Sequence, residues 1–344
     1  MAGKTWRRWF SLLFVLLVVG GLVWWMQWRR PPVDYPMAYV VQPSAIVWSS
    51  NAQVRQPVIT LHYGDQVTVL QHSGERAEVR NDAGAQGWVD EVALMDAELW
   101  QQAAELLERA MQMPVQAIGR TRTISNVRLS PGREGARIFQ FSRDQPVVVL
   151  ERATRPVPTE GPEPPGQALQ KLEDWLLVLH TPSSTDTSRA EPPAMPGIAP
   201  VASTMRKEAV VPQVPMAGWV LGRFIELDPP APIPDYFSAS GIRVVAWATL
   251  NMVPDEDGSH PQFLVVGTRG GEGQPCDFTM LRVYTWGTRR HRHETAYIEN
   301  DICGRMPLRV TSSATGEEFS FADPMRDGAE RVYRMRQTMV RRQQ

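Results

Sequence analysis

AQGWVDEVAL occupies residues 85–94, and AGWVLGRFIEL occupies residues 217–227. Both carry Gly-Trp-Val and close on a Leu after a short mixed run. The likeness extends toward the N-terminus of each phrase. PVITLH (57–62) corresponds to ARIFQF (136–141), and YGDQVTVL (63–70) to SRDQPVVVL (142–150), with an Asp-Gln pair kept before the apolar strand. RAEVRN (76–81) corresponds to DWLLVLH (174–180). Short apolar runs bounded by Gly, Asp and Ser turns read as β-strands, and their repetition in one order reads as an internal repeat. Within each unit the Gly permits a tight entry to the last strands, the Trp fills a core or a groove, and the Val continues the strand.

The second unit is stretched. From Leu70 to Gly87 is 17 positions; from Leu150 to Gly218 it is 68. The excess is rich in Pro, Ser and Ala and short of bulky residues, so it buries too little apolar surface to offset ordering. Two disordered insertions are therefore expected, at 155–170 and 182–213, flanking the strand around Trp175. Long surface insertions are tolerable because the entropy of closing a loop grows slowly with its length.

The repeated order resembles bacterial SH3-like domains, often written SH3b. The resemblance rests on GDQVTVL with GWVDEVAL in the first copy, and on NVRLSPGREGARIFQFSRDQPVVVL with DWLLV and AGWVLGRFIEL in the second. NVRLSPG matches the family's opening strand; AIVWSS holds that place in the first copy. The first copy also has Arg76-Ala77 where the family commonly has Trp before Val. The resemblance implies two small barrels, at 37–95 and 121–228, used for binding cell-wall peptide or protein partners rather than for catalysis. It makes groove aromatics the candidate ligand contacts: Trp88 and Trp219, with Trp48 and Trp175 nearby. The departures in the first copy weaken the ligand expectation there more than in the second.

The N-terminus reads differently. Lys4, Arg7 and Arg8 precede an uncharged run from Phe10 to Trp28, 19 residues, or roughly 28 Å as a helix, close to a hydrocarbon core. Trp6 and Trp9 at one end, and Trp24, Trp25 and Trp28 at the other, suit interfacial belts. Residues 1–30 are thus expected to be a transmembrane anchor, with a removed signal peptide as the alternative. The basic residues before the span favour a cytoplasmic N-terminus, leaving the bulk of the chain periplasmic or extracellular. An amphipathic helix at 96–114, capped by Asp96 and stopped by Pro114, joins the two modules. Strand patterns then return over 234–344 as an antiparallel β-domain, the last strand spanning 331–340 with Tyr333, Met335 and Met339 on one face. The fold class is all-β around a single anchor and one connecting helix.

Several chemistries are excluded or set aside. A net charge of −1 offers no basic field for nucleic acid. GTRGGEGQP (267–275) lacks the Lys-Ser/Thr and following helix of a phosphate-binding loop. His291 and His293 share a strand face and would suit Zn²⁺ if Glu or Cys lay near, but the period is that of a solvated hairpin, so no metal or cofactor is expected. Cys276 and Cys303, the chain's two cysteines, are a candidate disulfide in an oxidising compartment, or two thiols. With no catalytic constellation, the sequence reads as a membrane-anchored extracytoplasmic binding or scaffold protein, not an enzyme. Its rival is an envelope hydrolase that uses SH3-like modules for targeting and Cys303 or the His291/His293 pair for chemistry.

Overall fold

The computed structural model describes residues 35–42, 44–158, 171–181, 215–238, 241–314 and 316–343. The expected anchor and most of both insertions lie outside the described residues. Among the described residues no helix is long and apolar enough to cross a membrane.

The chain is mostly antiparallel β-structure in three seven-stranded sheets. The first module contains β1 (Met37–Val40), β2 (Ser44–Trp48), β3 (Pro57–His62), β4 (Gln66–Ser73), β5 (Arg76–Asn81), β6 (Gln86–Asp90) and β7 (Leu94–Asp96). Helix α1 (Ala97–Met111) follows, its first turn capped by the Asp96 carboxylate, which accepts the Leu99 N–H at 2.8 Å. The second module contains β8 (Ala117–Thr121), β9 (Ser125–Arg128), β10 (Arg137–Phe141), β11 (Pro146–Pro156), β12 (Leu172–His180), β13 (Met216–Leu221) and β14 (Ile225–Leu227). The sheet orders are β3-β2-β6-β5-β4-β1-β7 and β10-β9-β13-β12-β11-β8-β14. They are the same order, strand for strand, and a 3-10 turn joins the last two strands in each. The repeat is therefore one of topology as well as of sequence.

Two boundaries differ from the sequence reading. The second module begins at β8, four residues before position 121, because Ala117–Arg120 pair with β11. Strand β11 also runs on through Arg155 and Pro156, which pair with Glu173 and Leu172. Residues 155 and 156 thus belong to the sheet and not to an insertion; the Pro is accommodated because it sits at the strand's end.

The third sheet is a meander in chain order: β15 (Arg243–Asp255), β16 (Gly258–Thr268), β17 (Phe278–Gly287), β18 (Arg292–Ser313), β19 (Gly316–Asp323), β20 (Ala329–Arg336) and β21 (Met339–Arg342). A short helix α2 (Ile233–Ser238) leads into it. Two expected strands, at 293–299 and 308–310, merge into the single 22-residue β18. The expected final strand instead folds back on itself at Gln337, which takes a left-handed conformation (φ 54°). Tyr333 and Met335 are buried, while Met339 across the turn is 60% exposed.

The first module has its own core of small aliphatics, including Val40, Val47, Leu61, Val67 and Val79. The second module does not. Its core is continuous with the apolar face of α1 (Ala103, Leu106, Ala110) and with Phe237, Trp247 and Phe263 beyond it. Polar groups stitch the same boundary. The side chain of Gln116 donates to the Leu308 carbonyl at 3.1 Å and accepts the Leu308 N–H at 2.6 Å, so it pairs with β18 as a backbone unit would. Arg152 reaches Asp174 in its own module and Asp277 in the meander, both at 2.6 Å. The first module meets the rest mainly through aromatics: Tyr39 stacks on Trp100 of α1 at 4.9 Å, and Tyr63 lies between Trp100 and Phe139. Burial there pushes the Tyr63 phenol up to about 12.

Candidate functional site

The Gly of each Gly-Trp-Val is fixed by strand spacing. A Cβ on Gly87 would collide with the Trp48 carbonyl and the Val47 side chain; one on Gly218 would collide with Val127 and the Arg128 carbonyl. These close approaches bring β6 against β2 and β13 against β9, and set each Trp opposite a residue of the neighbouring strand. In the first module Trp88 pairs with Trp48 on one side and Glu78 on the other, and Glu78 pairs with Gln71. In the second, Trp219 pairs with Arg128 and Leu177.

The two ladders share a register but not an environment. Strand β6 alternates cleanly, with Gly87 and Val89 buried and Trp88 half-buried between them. Trp48 is half-buried as well. Strand β13 is buried on both faces and β12 nearly so, because α1 packs against both. Trp219 is 8% exposed and Trp175 only 3%. The structure therefore corrects the reading that favoured the second copy for ligand contact. Trp175 and Trp219 are core residues of the second module, and the open aromatics are Trp48 and Trp88.

Around Trp48 and Trp88 the surface is organised. The Arg55 guanidinium lies over the Trp48 ring, 4.4 Å from its centroid. The loop carrying Arg55 is tied down: Ser49 N–H donates to the Gln56 carbonyl at 2.9 Å, Arg76 donates to the Asn51 carbonyl at 3.1 Å, and the Asn51 amide donates to Ser73 at 2.9 Å. Arg55 Nη1 is buried and has no acceptor among the described residues. A buried donor without a partner costs free energy until something supplies one. On the far side of Trp88 the Gln71 amide donates to the Glu78 carboxylate at 2.6 Å. Two indoles and one carboxylate thus share a single outward face, with the Arg55 guanidinium laid over Trp48 and its Nη1 buried. Sequence reasoning found the tryptophans and missed Arg55, Glu78 and Gln71; the period-two alternation of β4 and β5 could have placed the last two.

Beside Trp175 the chemistry is that of a structural pair. The Glu173 side chain is 1% exposed and accepts Arg133 through both oxygens, at 3.0–3.3 Å, with Arg223 at 3.7 Å. Burial pushes this carboxyl up, but the two guanidiniums outweigh it and hold it below the usual carboxylate range. A depressed folded pKa gives stability that is present above the unfolded value and lost as pH falls through the folded one. Glu173→Gln should abolish that component. Melting of the wild type should decline more steeply than that of the variant as pH drops below about 4.5, and parallel curves would rule the pair out as an acid-sensitive contact.

Cys276 and Cys303 are joined in a disulfide with Cα atoms 5.0 Å apart. The thiol route to hydrolysis has no nucleophile while that bond is closed. His293 does not meet it either; its Nε2 is 2.8 Å from the Pro261 carbonyl.

No family model matches the chain, and no curated protein matches it. Among solved structures it has matches to NlpC1 from Trichomonas vaginalis, at 9% identity over 90% of this chain and 88% of that one, and to NlpC2 from the same organism, at 9% identity over 78% and 98%. Both have a TM-score of 0.17, too low for either to bear on fold or function.

Proposed function

We propose that this protein is a membrane-anchored extracytoplasmic binding protein, and that its first SH3-like module binds a peptide of the cell wall or of an envelope partner. The observation that carries the reading is the divergence of the two ladders: the copy packed under α1 is spent on the core, while its counterpart keeps Trp48 and Trp88 at the surface beside Arg55. Indole faces contact apolar and backbone groups of an extended peptide with little loss of side-chain freedom. The Arg55 guanidinium over Trp48 adds a positive charge beside the two indoles that favours an acidic group of that peptide. The uncharged N-terminal run supports the anchor, and the Cys276–Cys303 bond suits an oxidising compartment.

The test uses full-length protein in detergent and purified cell wall, with soluble wall peptides as competitors. Retention is expected, and Trp48→Ala with Trp88→Ala should weaken it by at least about tenfold, as for buried aromatic anchors at other interfaces. Equal retention of the folded double variant, or none by the wild type, would defeat the wall reading. Capture of an envelope protein that depends on the same two residues would move the ligand to the second class.

A further inference from the structure

Among the described residues, an unassigned cluster of carboxylates and imidazoles lies at one end of the meander, where the β15–β16 and β17–β18 turns come together. Asp255 sits at the end of β15, Asp257 in the turn that follows it, and His291 in the other turn, with one donor atom from each within 4.8 Å of the others. His291 Nδ1 is 3.0 Å from Asp255 Oδ2, although 36 residues separate them in sequence. His260 joins from β16, its Nε2 2.8 Å from Asp257 Oδ1.

The cluster is held from behind. The Trp286 indole N–H donates to Asp255 Oδ2 at 2.6 Å, and the Glu256 N–H donates to Asp255 Oδ1 at 2.8 Å. The His260 ring lies flat on Trp286, with centroids 3.6 Å apart and planes 5° apart. These contacts orient a carboxylate and an imidazole in the way outer groups orient metal ligands. His293, the partner that the sequence suggested for His291, is turned away toward Pro261 and packs edge-on against Trp286.

We infer that Asp255, Asp257 and His291, with His260 alongside, form a site for a first-row divalent ion of the Zn²⁺ class that cross-braces the two hairpin tips. A mixed set of carboxylate oxygen and imidazole nitrogen matches Zn²⁺ and its neighbours, whereas Ca²⁺ and Mg²⁺ take oxygen alone. Bonds of about 2.0–2.2 Å require donors to draw closer than they now stand. The side chains that must move have room, since Asp257 is 64% exposed and His291 54% exposed. Each carboxylate–imidazole contact is now a hydrogen bond; an imidazole nitrogen that ligates the ion gives up its proton, which moves to the ring's other nitrogen or, from an imidazolium, to solvent.

Zinc is the probe. Full-length protein in detergent, stripped with chelator, should bind one Zn²⁺ per chain in equilibrium dialysis and melt at a higher temperature with it. Asp257→Asn and His291→Ala, both at exposed positions, should each weaken binding by at least about tenfold, while His293→Ala should leave it unchanged. The absence of saturable zinc binding would overturn the inference. So would Asp257→Asn and His291→Ala proteins that bind as tightly as the wild type, since the cluster would then be hydrogen-bonded ion pairs only. Neither failure touches the peptide reading, because no residue of the Trp48/Trp88 face is involved.

Discussion

Arg152→Met should destabilise the second module by about 3–5 kcal/mol, the usual cost of breaking a buried ion pair by removing one partner. The Arg152 side chain is 6% exposed and bridges Asp174 and Asp277, which are 7% and 4% exposed. Removing the guanidinium leaves two carboxylates in a place where neither is solvated. Their remaining partners are single backbone donors, Gly273 N–H at 2.9 Å for Asp174 and Met306 N–H at 2.7 Å for Asp277. Burial already pushes the Asp277 carboxyl up despite Arg152. The cost should therefore shrink as pH is lowered and Asp277 takes up a proton, and it should shrink at neutral pH when Asp174→Asn and Asp277→Asn are added. Urea titration at two pH values measures both. An Arg152→Met protein as stable as the wild type at neutral pH would show that the triad contributes nothing net.

The second large effect separates the two copies of Gly-Trp-Val. Trp219→Ala should cost about 3–5 kcal/mol, as large-to-small changes of buried aromatics do. The indole contacts a core that runs through α1 into the meander, so the cavity cannot collapse without moving three elements. Trp88→Ala, at the equivalent register but half-buried, should cost less than about 1 kcal/mol and should instead lower ligand retention. Calorimetry of the two single variants beside the wall-binding assay tests the contrast. Equal destabilisation would mean that both tryptophans serve only the fold. The two proteins should also differ in which transition shifts, because the first module has a separate core and need not melt with the rest.

Much of the architecture was legible because it is written in local alternation. The two modules repeat the same apolar strands, the same Asp-Gln turn and the same Gly-Trp-Val, and those features survive into matching strand orders. Asp96 and the 3.6-residue spacing of Leu99, Ala103, Leu106 and Ala110 marked α1 without help from tertiary structure. What was not legible depends on contacts distant in sequence. Trp88 and Trp219 look alike in their own strands; only the docking of α1 on β12 and β13 buries one of them. The gap between the expected strands at 293–299 and 308–310 is bridged by the sheet within β18. The β20–β21 turn has no Gly, and Gln337 takes the left-handed conformation in its place. The Asp255/Asp257/His291 cluster was hidden for the same reason: its members lie in two turns that meet only because β16 and β17 pair.

The meander carries a consequence for the order in which the chain acquires structure. Each of its strands lies beside its neighbour in sequence, so its pairing closes only short loops, the kind of topology that forms fast. The second module must close across the 68 positions between Leu150 and Gly218, against 17 in the first. That fourfold difference costs about 1.2 kcal/mol of extra loop entropy, and the core that β13 closes upon is complete only when α1 and the meander supply their share of it. The C-terminal sheet is thus expected to act as an internal template. A nascent chain should hold a finished first module early, and then wait for its last hundred or so residues before the second becomes native.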